Sequence, residues 1–276
     1  MSSLRNVDVD TCLGRLRVKV GGSGPALMFW SSLLMSASMW EAQADYFGER
    51  FQVVLVDPPG HGDSEALRGT FSFEQCAQCV VQILDALNIK RTHYVGNSWG
   101  GMIGGTFVAQ YPDRVGAAVL MNCTGSAASL RQKLEYAVLV RLVRTVGGIP
   151  ARLSFLPVRA FVGPTTERER PQVIETIRKA VTRVDGHSVH WAIRSVVPNR
   201  PDQLGLFGTI RTPVLVLAGA EDRTFPVAET RAMAAAIPGA EFRVIDGLAH
   251  LAGLEAPAMV NHIVDDFLAR AQSAAT

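Results

Sequence analysis

The sequence predicts an α/β fold in which a mostly parallel, doubly wound sheet carries helices on both faces. Three observations support this prediction. Short apolar or β-branched runs alternate with longer segments of helical periodicity along most of the chain. Turn-forming residues separate the two kinds of segment. The length of 276 residues provides enough buried surface for one large domain without disulfides or metals.

The first strands of the predicted sheet come from the N-terminal part of the chain. Residues 14–20 are expected to form an edge strand, and residues 26–30 a buried strand after a glycine-rich turn. A helix is expected near residues 38–47, followed by a strand at 51–56. That strand should end at the Asp-Pro-Pro-Gly run of residues 57–60, because two prolines fit neither a helix nor a strand ladder.

The alternation continues through the remainder of the predicted sheet. An amphipathic helix is expected at residues 72–87, a strand at 92–96, a helix at 102–111 that ends before Pro112, and a strand at 115–122. The C-terminal part then reads strand, helix, strand, helix, at residues 213–218, 227–237, 241–246 and 258–269.

One long segment interrupts this alternation. Residues 126–207 show helical patterns and several prolines but no convincing strand, so we expect an inserted helical cap on a core of residues 1–125 and 208–276. This segment contains 13 basic and 6 acidic residues, a net charge of +7. The remainder of the chain therefore carries a net charge of −5.

Composition excludes several classes of function. A net charge of +2 and an aromatic content of 7% do not indicate a nucleic-acid-binding protein. The sequence shows neither a secretory signal nor an apolar run of about 20 residues, so we expect a cytoplasmic protein without a membrane span. Four scattered cysteines do not form a disulfide framework, and no cluster has metal-ligand spacing. The sequence leaves the oligomeric state open.

A GxSxG pattern indicates a candidate nucleophile. Gly96-Asn97-Ser98-Trp99-Gly100 lies between a predicted strand and a predicted helix, the context in which this pattern exposes a serine on a sharp turn. The helix N-terminus behind the serine would place backbone N–H groups where an oxyanion develops. Taken alone, the pattern is equally consistent with a tight structural turn.

A general base and its orienting acid follow two other predicted strands. Asp222 lies on the loop after strand 213–218, and His250 lies on the loop after strand 241–246. Loops at the carboxyl ends of parallel strands converge, so Ser98, Asp222 and His250 are expected to meet. Two neighbouring acids, Glu221 and Asp246, are weaker candidates. We interpret the other five histidines as surface or packing residues: His61, His93, His187, His190 and His262.

These motifs resemble those of the α/β-hydrolase superfamily over essentially the whole chain. Besides the turn at Ser98, the loop of residues 57–64, the acid loop of residues 219–226 and the histidine loop of residues 247–250 are similar to family motifs. The resemblance implies an α/β-hydrolase fold. It also implies an enzyme that hydrolyses a small-molecule ester or lactone through an acyl-enzyme, without a cofactor or metal.

The loop after the strand at 26–30 resembles one branch of the superfamily. Ser31-Ser32-Leu33-Leu34 lacks the usual His-Gly pair and is similar to the corresponding loop of β-ketoadipate enol-lactone hydrolases. This resemblance implies that the backbone N–H groups of Leu33 and Trp99 form the oxyanion hole. Trp30 and Trp191 are candidates for lining a substrate pocket, although large aromatic side chains usually form core.

Several alternatives remain open at this stage. Hydrolases that cleave a carbon–carbon bond in ring-fission diketones share the Asn-Ser pair and following glycines, and prolyl aminopeptidases share the Trp after the serine. A receptor could also keep this fold and bind a small molecule without turnover. If basic cap residues face the cleft, an anionic substrate is expected; otherwise they are a solvated surface and a general carboxylesterase is favoured. The basic residues that could hold an anionic substrate in this way are Arg131, Lys133, Arg141, Arg144, Arg152, Arg159 and Arg194.

Overall fold

The computed structural model describes residues 4–273, which contain a single sheet of eight strands. In chain order these are β1 (Arg5–Thr11), β2 (Gly14–Gly21), β3 (Ala26–Trp30), β4 (Gln52–Val56), β5 (Thr92–Asn97), β6 (Val115–Met121), β7 (Val214–Gly219) and β8 (Glu241–Ile245). The spatial order is β1-β2-β4-β3-β5-β6-β7-β8. The pairs β1–β2 and β2–β4 are antiparallel, and every later pair is parallel. The predicted mostly parallel sheet is confirmed.

Helices follow most of the strands. They are α1 (Glu41–Phe47), α2 (Phe73–Ala86), α3 (Trp99–Gln110), α4 (Leu130–Val146), α5 (Phe155–Phe161), α6 (Pro164–Glu169), α7 (Pro171–Thr182), α8 (Gly186–Val196), α9 (Leu204–Phe207), α10 (Val227–Ala236), α11 (Ala252–Glu255) and α12 (Pro257–Ser273). Short 3₁₀ turns occupy residues 37–40, 112–114 and 151–153. None of the helices between residues 4 and 273 is long and apolar enough to cross a bilayer.

Side chains of the central strands alternate between two cores, one on each face of the sheet. Met28 and Trp30 of β3 belong to the core formed with α2 and α3, whereas Leu27 and Phe29 belong to the core formed with α1 and α12. All five residues of β3 are buried. Burial on both faces explains why the central strands read as continuous apolar runs.

The structure corrects the expected edge of the sheet. Residues 14–20 were expected to form the edge strand, but β1 lies outside β2 and forms the edge. Charged residues such as Asp8 and Asp10 alternate in β1 with less exposed apolar residues, and only Val9 is fully buried. A strand with one solvated face and one free edge needs few apolar residues, so its hydrophobic signal is weak.

A second difference concerns the helix after the candidate nucleophile. It was expected to begin at residue 102, but α3 begins at Trp99, directly after Ser98. Glycines at positions 100, 101, 104 and 105 have low helix propensity and hide this start in the sequence. They allow the helix to pack closely on the sheet and on α9. A Cβ on Gly104 would lie 2.4 Å from the Tyr94 ring, and one on Gly105 would lie 2.5 Å from the Phe207 ring.

Residues 126–207, which we call the cap segment, contain α4 to α9 and no strand. Helices α4 and α8 pack side by side. The cap core consists of buried aliphatic side chains, among them Val143, Ile177, Val181 and Val189. The segment lies between β6 and β7 in the chain, so it is placed beside the carboxyl ends of the parallel strands.

Candidate active site

Ser98 lies on a strained turn between β5 and α3. Its backbone has φ 56° and ψ −114°, a conformation that costs free energy in a residue with a Cβ. The Ser98 N–H donates to the Met121 carbonyl oxygen at 2.8 Å. Two glycines permit this sharp reversal, because a Cβ on Gly96 would lie 2.2 Å from the Gly100 oxygen and one on Gly100 would lie 2.2 Å from the Trp30 oxygen.

The structure brings the three predicted residues together. His250 Nε2 lies 2.8 Å from Ser98 Oγ, and His250 Nδ1 lies 2.9 Å from Asp222 Oδ2. All three residues are buried. The other Asp222 oxygen, Oδ1, accepts the backbone N–H groups of Thr224 at 2.8 Å and Phe225 at 3.1 Å. These bonds fix the plane of the carboxylate.

The rival acids do not contact the imidazole. Glu221 accepts bonds from the Thr165 backbone N–H at 2.9 Å and from the Thr165 hydroxyl at 2.6 Å. It therefore ties the acid loop to α6 of the cap segment. Asp246 is exposed at the end of β8. The geometry thus favours Asp222 over Glu221 and Asp246 as the acid that orients His250.

Two buried asparagines, which the sequence did not indicate, hold the histidine loop. Asn97 Nδ2 and Asn122 Nδ2 donate to the His250 carbonyl oxygen at 2.8 and 2.9 Å. Asn122 Oδ1 accepts the Gly219 N–H at 2.8 Å, and Asn122 Nδ2 also donates to Asn97 Oδ1 at 3.1 Å. The two side chains therefore connect the ends of β5, β6 and β7 to the backbone of the candidate base.

A buried carboxylate supports the same loop from the other side. Glu255 accepts the N–H groups of Ala249 and Leu251, the two residues that flank His250, at 3.0 to 3.2 Å. It also accepts the Thr166 hydroxyl of α6 at 2.5 Å. Burial raises the pKa of Glu255, while these donors favour its charged form. No sequence pattern indicated this role.

Backbone donors lie beside the serine where an oxyanion hole is expected. Leu33 lines the same cavity as Ser98, and Trp99 is the first residue of α3. Within residues 4–273, neither the Leu33 N–H nor the Trp99 N–H donates to a protein acceptor. The Trp99 side chain is buried and stacks on Phe71, with ring centroids 5.4 Å apart.

His61 is buried against Trp99, in keeping with its interpretation as a packing residue, and it also holds the loop that carries Leu33. Its Nε2 accepts the Leu34 N–H at 3.0 Å, and its Nδ1 donates to the Pro59 carbonyl oxygen at 3.0 Å. Leu34 has φ 67°, a conformation that needs such support. Asp57 Oδ1 supports the same loop by accepting the Ala37 N–H at 2.7 Å.

Burial lowers the pKa of His61 from 6.5 to about 4. The unfolded chain therefore takes up a proton below pH 6.5, whereas the folded protein does so only near pH 4. Stability present above pH 6.5 is lost as the pH falls through this window. We expect the pH 7 to pH 4.5 difference in the free energy of unfolding, measured with urea, to shrink by about 2 to 3 kcal/mol in His61→Gln.

The matched control is His262→Gln, because His262 is exposed on α12. This variant is expected to lose as much stability on acidification as the unmodified protein. An unchanged pH dependence in His61→Gln would contradict the assigned role of His61.

A mostly apolar cavity of about 290 Å³ opens above Ser98. Its lining from the cap comes mainly from α4, α5 and α8 and the segments beside them. In the described part of the chain, this lining contains no Lys, Arg, Asp or Glu; besides Ser98 and His250, its polar side chains are Tyr136 and Thr224. The cavity can therefore hold an uncharged, largely aliphatic group.

The residues predicted to bind substrate do not line this cavity. Trp30 is fully buried in the core, edge-on to Trp99, and does not line this cavity. Trp191 and Arg194 line a separate cavity of about 430 Å³ between α4 and α8. None of the seven basic cap residues faces Ser98, because each lies on an outward surface of its helix or turn: Arg131, Lys133, Arg141, Arg144, Arg152, Arg159 and Arg194.

Comparisons with known proteins agree with the fold and the predicted enzyme class, a carboxylic ester hydrolase or lactonase. The 3-oxoadipate enol-lactonase 2 of Acinetobacter baylyi is 27% identical over 248 residues, 89% of each chain. A 2-hydroxy-6-oxononadienedioate/2-hydroxy-6-oxononatrienedioate hydrolase of Paraburkholderia phymatum is 30% identical over 266 residues, 94% of this chain and 89% of the relative.

Among solved structures, a thermophilic esterase from Thermogutta terrifontis superposes with a TM-score of 0.89 at 26% identity, covering 97% of this chain and 99% of that one. A family profile described as the alpha/beta hydrolase fold matches residues 25–257. With the sheet, the strained serine turn and the three strand-end loops in place, the chain belongs to the α/β-hydrolase family.

Proposed function

We propose that the protein is a serine hydrolase that cleaves a carboxylic ester or lactone through an acyl-enzyme on Ser98. The observation that carries this proposal is the continuous chain of hydrogen bonds from Asp222 through His250 to Ser98, with contacts of 2.9 and 2.8 Å. A nucleophile, a base and an orienting carboxylate in this order are the elements that acyl transfer requires.

In the first half-reaction, His250 Nε2 takes the Ser98 proton as the hydroxyl oxygen attacks the substrate carbonyl. Asp222 holds Nδ1–H and stabilises the imidazolium that forms. The backbone N–H groups of Leu33 and Trp99 donate to the developing oxyanion. His250 then gives its proton to the leaving alcohol oxygen as the carbonyl–oxygen bond breaks.

In the second half-reaction, water takes the place of the alcohol. His250 removes a proton from the water, which attacks the acyl carbonyl and forms a second tetrahedral intermediate. Collapse of this intermediate returns the proton to Ser98 Oγ and releases the carboxylic acid. With a lactone the acid and alcohol remain joined, so the alcohol group must leave the carbonyl's vicinity before water attacks.

The cavity lining favours substrates with an uncharged aliphatic acyl group. A carboxylate placed in a site without a cation would be desolvated and unpaired, at a cost of several kcal/mol. The names of the Acinetobacter and Paraburkholderia relatives denote an oxoadipate lactone and dienedioates, both of which carry carboxylates. The apolar lining at Ser98 does not suit substrates that carry carboxylates. It therefore also disfavours the carbon–carbon hydrolase alternative.

The test is a panel of p-nitrophenyl esters of graded acyl length, together with neutral lactones, an acidic lactone and a vinylogous diketone. We expect kcat/KM to rise from acetate to medium-chain esters by about tenfold or more, since each buried CH₂ contributes about 0.8 kcal/mol. The acidic lactone and the diketone should be poor substrates. A preference for the diketone would contradict the proposed ester or lactone hydrolysis, and a preference for the acidic lactone would contradict the uncharged acyl group. Binding of the esters without a burst of p-nitrophenol would favour a receptor.

Filling the cavity should reverse the acyl-length preference. Val143 of α4 is buried and lines the cavity. We expect Val143→Trp to lower kcat/KM for medium-chain esters by about 10- to 100-fold, with less than threefold change for the acetate ester. Val244→Trp places the same side chain on the exposed surface of β8 and should change neither value. Equal losses for both esters in Val143→Trp would show that the cavity does not hold the acyl chain.

A further inference from the structure

The outer surface of α4 carries an apolar row that no part of residues 4–273 covers. Its members recur at every fourth position, which places them along one side of the helix. Leu130, Leu134 and Val138 are 80%, 72% and 71% exposed, and Leu142 and Val146 are about half exposed. Phe155 and Leu156 of α5, also half exposed, add to this surface. A contiguous exposed patch of seven large apolar side chains indicates a binding surface.

The apolar row is continuous with the mouth of the catalytic cavity. Leu142 and Val146 belong to the row and also line the cavity above Ser98, as does Leu156 of α5. An aliphatic chain can therefore pass from the outer surface to the serine along apolar side chains. The apolar row and the catalytic cavity therefore form one continuous apolar surface.

Unpaired positive charge borders this surface. Arg141, Arg144 and Arg194 make no ion pair among the described residues, and together they line the separate cavity between α4 and α8, which we call the basic cavity. In the part of the chain that the structure describes, no acidic side chain lines this cavity. The guanidinium groups of Arg141, Arg144 and Arg194 are therefore the donors that the basic cavity presents to a phosphate.

We propose that the cap segment docks on an anionic lipid surface through the apolar row. The row enters the boundary between headgroups and acyl chains, and the basic cavity receives a headgroup phosphate. The charge distribution supports this occupant over a second copy of the chain. Each cap segment carries a net charge of +7, so two such surfaces repel each other, whereas the remainder of the chain at −5 turns the cap toward a negative surface.

The docked orientation defines the substrate class, a step that rests on the proposed function. Because the cavity mouth lies on the docked surface, amphiphilic esters in the lipid layer are delivered to Ser98 without crossing water. The expected substrates are neutral esters with medium or long acyl chains that reside in such a layer.

The experiment is co-sedimentation of the full chain with vesicles of phosphatidylglycerol and phosphatidylcholine, compared with pure phosphatidylcholine. We expect at least tenfold stronger binding to the anionic vesicles, falling as NaCl rises from 0.1 to 0.5 M. The double variant L134D/V138D should lose this binding by at least tenfold. The matched control M259D, at an exposed position of α12, should bind the vesicles as the unmodified protein does.

A second pair of variants tests the basic cavity. Arg144→Gln and Arg194→Gln should each weaken binding to anionic vesicles about fivefold and reduce its salt dependence. Inorganic phosphate should compete only at millimolar concentration. Tight phosphate binding without vesicle binding would assign the basic cavity to a free phosphate compound and overturn the lipid proposal.

Hydrolysis of a water-soluble short-chain ester separates this proposal from the catalytic one. L134D/V138D should retain this activity, because neither residue lines the catalytic cavity. Equal binding to both vesicle types, or a cap-mediated dimer that L134D/V138D dissociates, would overturn the lipid proposal while leaving the hydrolase proposal intact. Vesicle binding by a protein that hydrolyses no ester would support docking on lipid and contradict the hydrolase proposal.

Discussion

Replacing Ser98 with alanine is expected to lower kcat for a p-nitrophenyl ester by about 10⁵- to 10⁶-fold. The hydroxyl oxygen lies 2.8 Å from His250 Nε2, and its removal leaves the proposed base without its nucleophile. Residual turnover would come from binding and from the backbone donors. Steady-state kinetics with active-site titration measures the loss.

The fold should survive this change. Among residues 4–273, Ser98 Oγ bonds only to the imidazole, and the Ser98 N–H bond to Met121 stays in place. The free energy of unfolding should change by less than about 1 kcal/mol. The exposed Ser38→Ala variant serves as the control for serine removal. A folded Ser98→Ala protein with normal turnover would rule out the acyl-enzyme mechanism.

Asp222→Asn is expected to lower kcat by about 10⁴-fold. The amide oxygen can keep the two backbone bonds from Thr224 and Phe225, which leaves the NH₂ group facing His250 Nδ1. The imidazole then carries its proton on Nε2 and cannot accept the Ser98 proton. The defect should appear in kcat, with little change in KM.

Glu221→Gln is the matched control, since it makes the same chemical change at the adjacent residue. Glu221 bonds to Thr165 rather than to the imidazole, so kcat should fall by no more than a few fold. If Glu221→Gln is the crippling change and Asp222→Asn is mild, the acid is wrongly assigned.

The sequence was sufficient to predict the fold and the residues that meet at the candidate site. Strand-end loops of a parallel sheet converge at one edge, so the positions of Ser98, Asp222 and His250 after three predicted strands implied their proximity. The predicted α/β-hydrolase fold is confirmed by the sheet order and by the family match. The catalytic roles stay predictions until the variants are measured.

The supporting residues could not be predicted, because they act on backbone atoms far away in the sequence. Asn122 reaches the His250 carbonyl across 128 residues, and His61 reaches the Leu34 N–H across 27. No spacing rule relates a side chain to such an acceptor or donor. The His61 motif was recognised as a family loop, but its link to Leu34 required coordinates.

The direction of side chains was the second feature that could not be predicted from the sequence. The basic residues of the cap segment predict a carboxylate site only if they face the cleft. Helical periodicity alone does not say which side of α4 faces the cleft, because both sides carry apolar residues. Arg141 and Arg144 point away from Ser98, and aliphatic residues of the same helix line the cavity. Trp30 was misplaced for the same reason, since a strand residue can face either core.

The location of His250 after β8 has a consequence for refolding. Ser98 and His250 are separated by 152 residues, and β8 is the last strand in the spatial order of the sheet. Such a long-range contact forms late, because loop closure must precede it. Recovery of esterase activity after dilution from denaturant should therefore lag behind recovery of far-ultraviolet circular dichroism, and activity should be the first property lost when the β8 edge of the sheet opens.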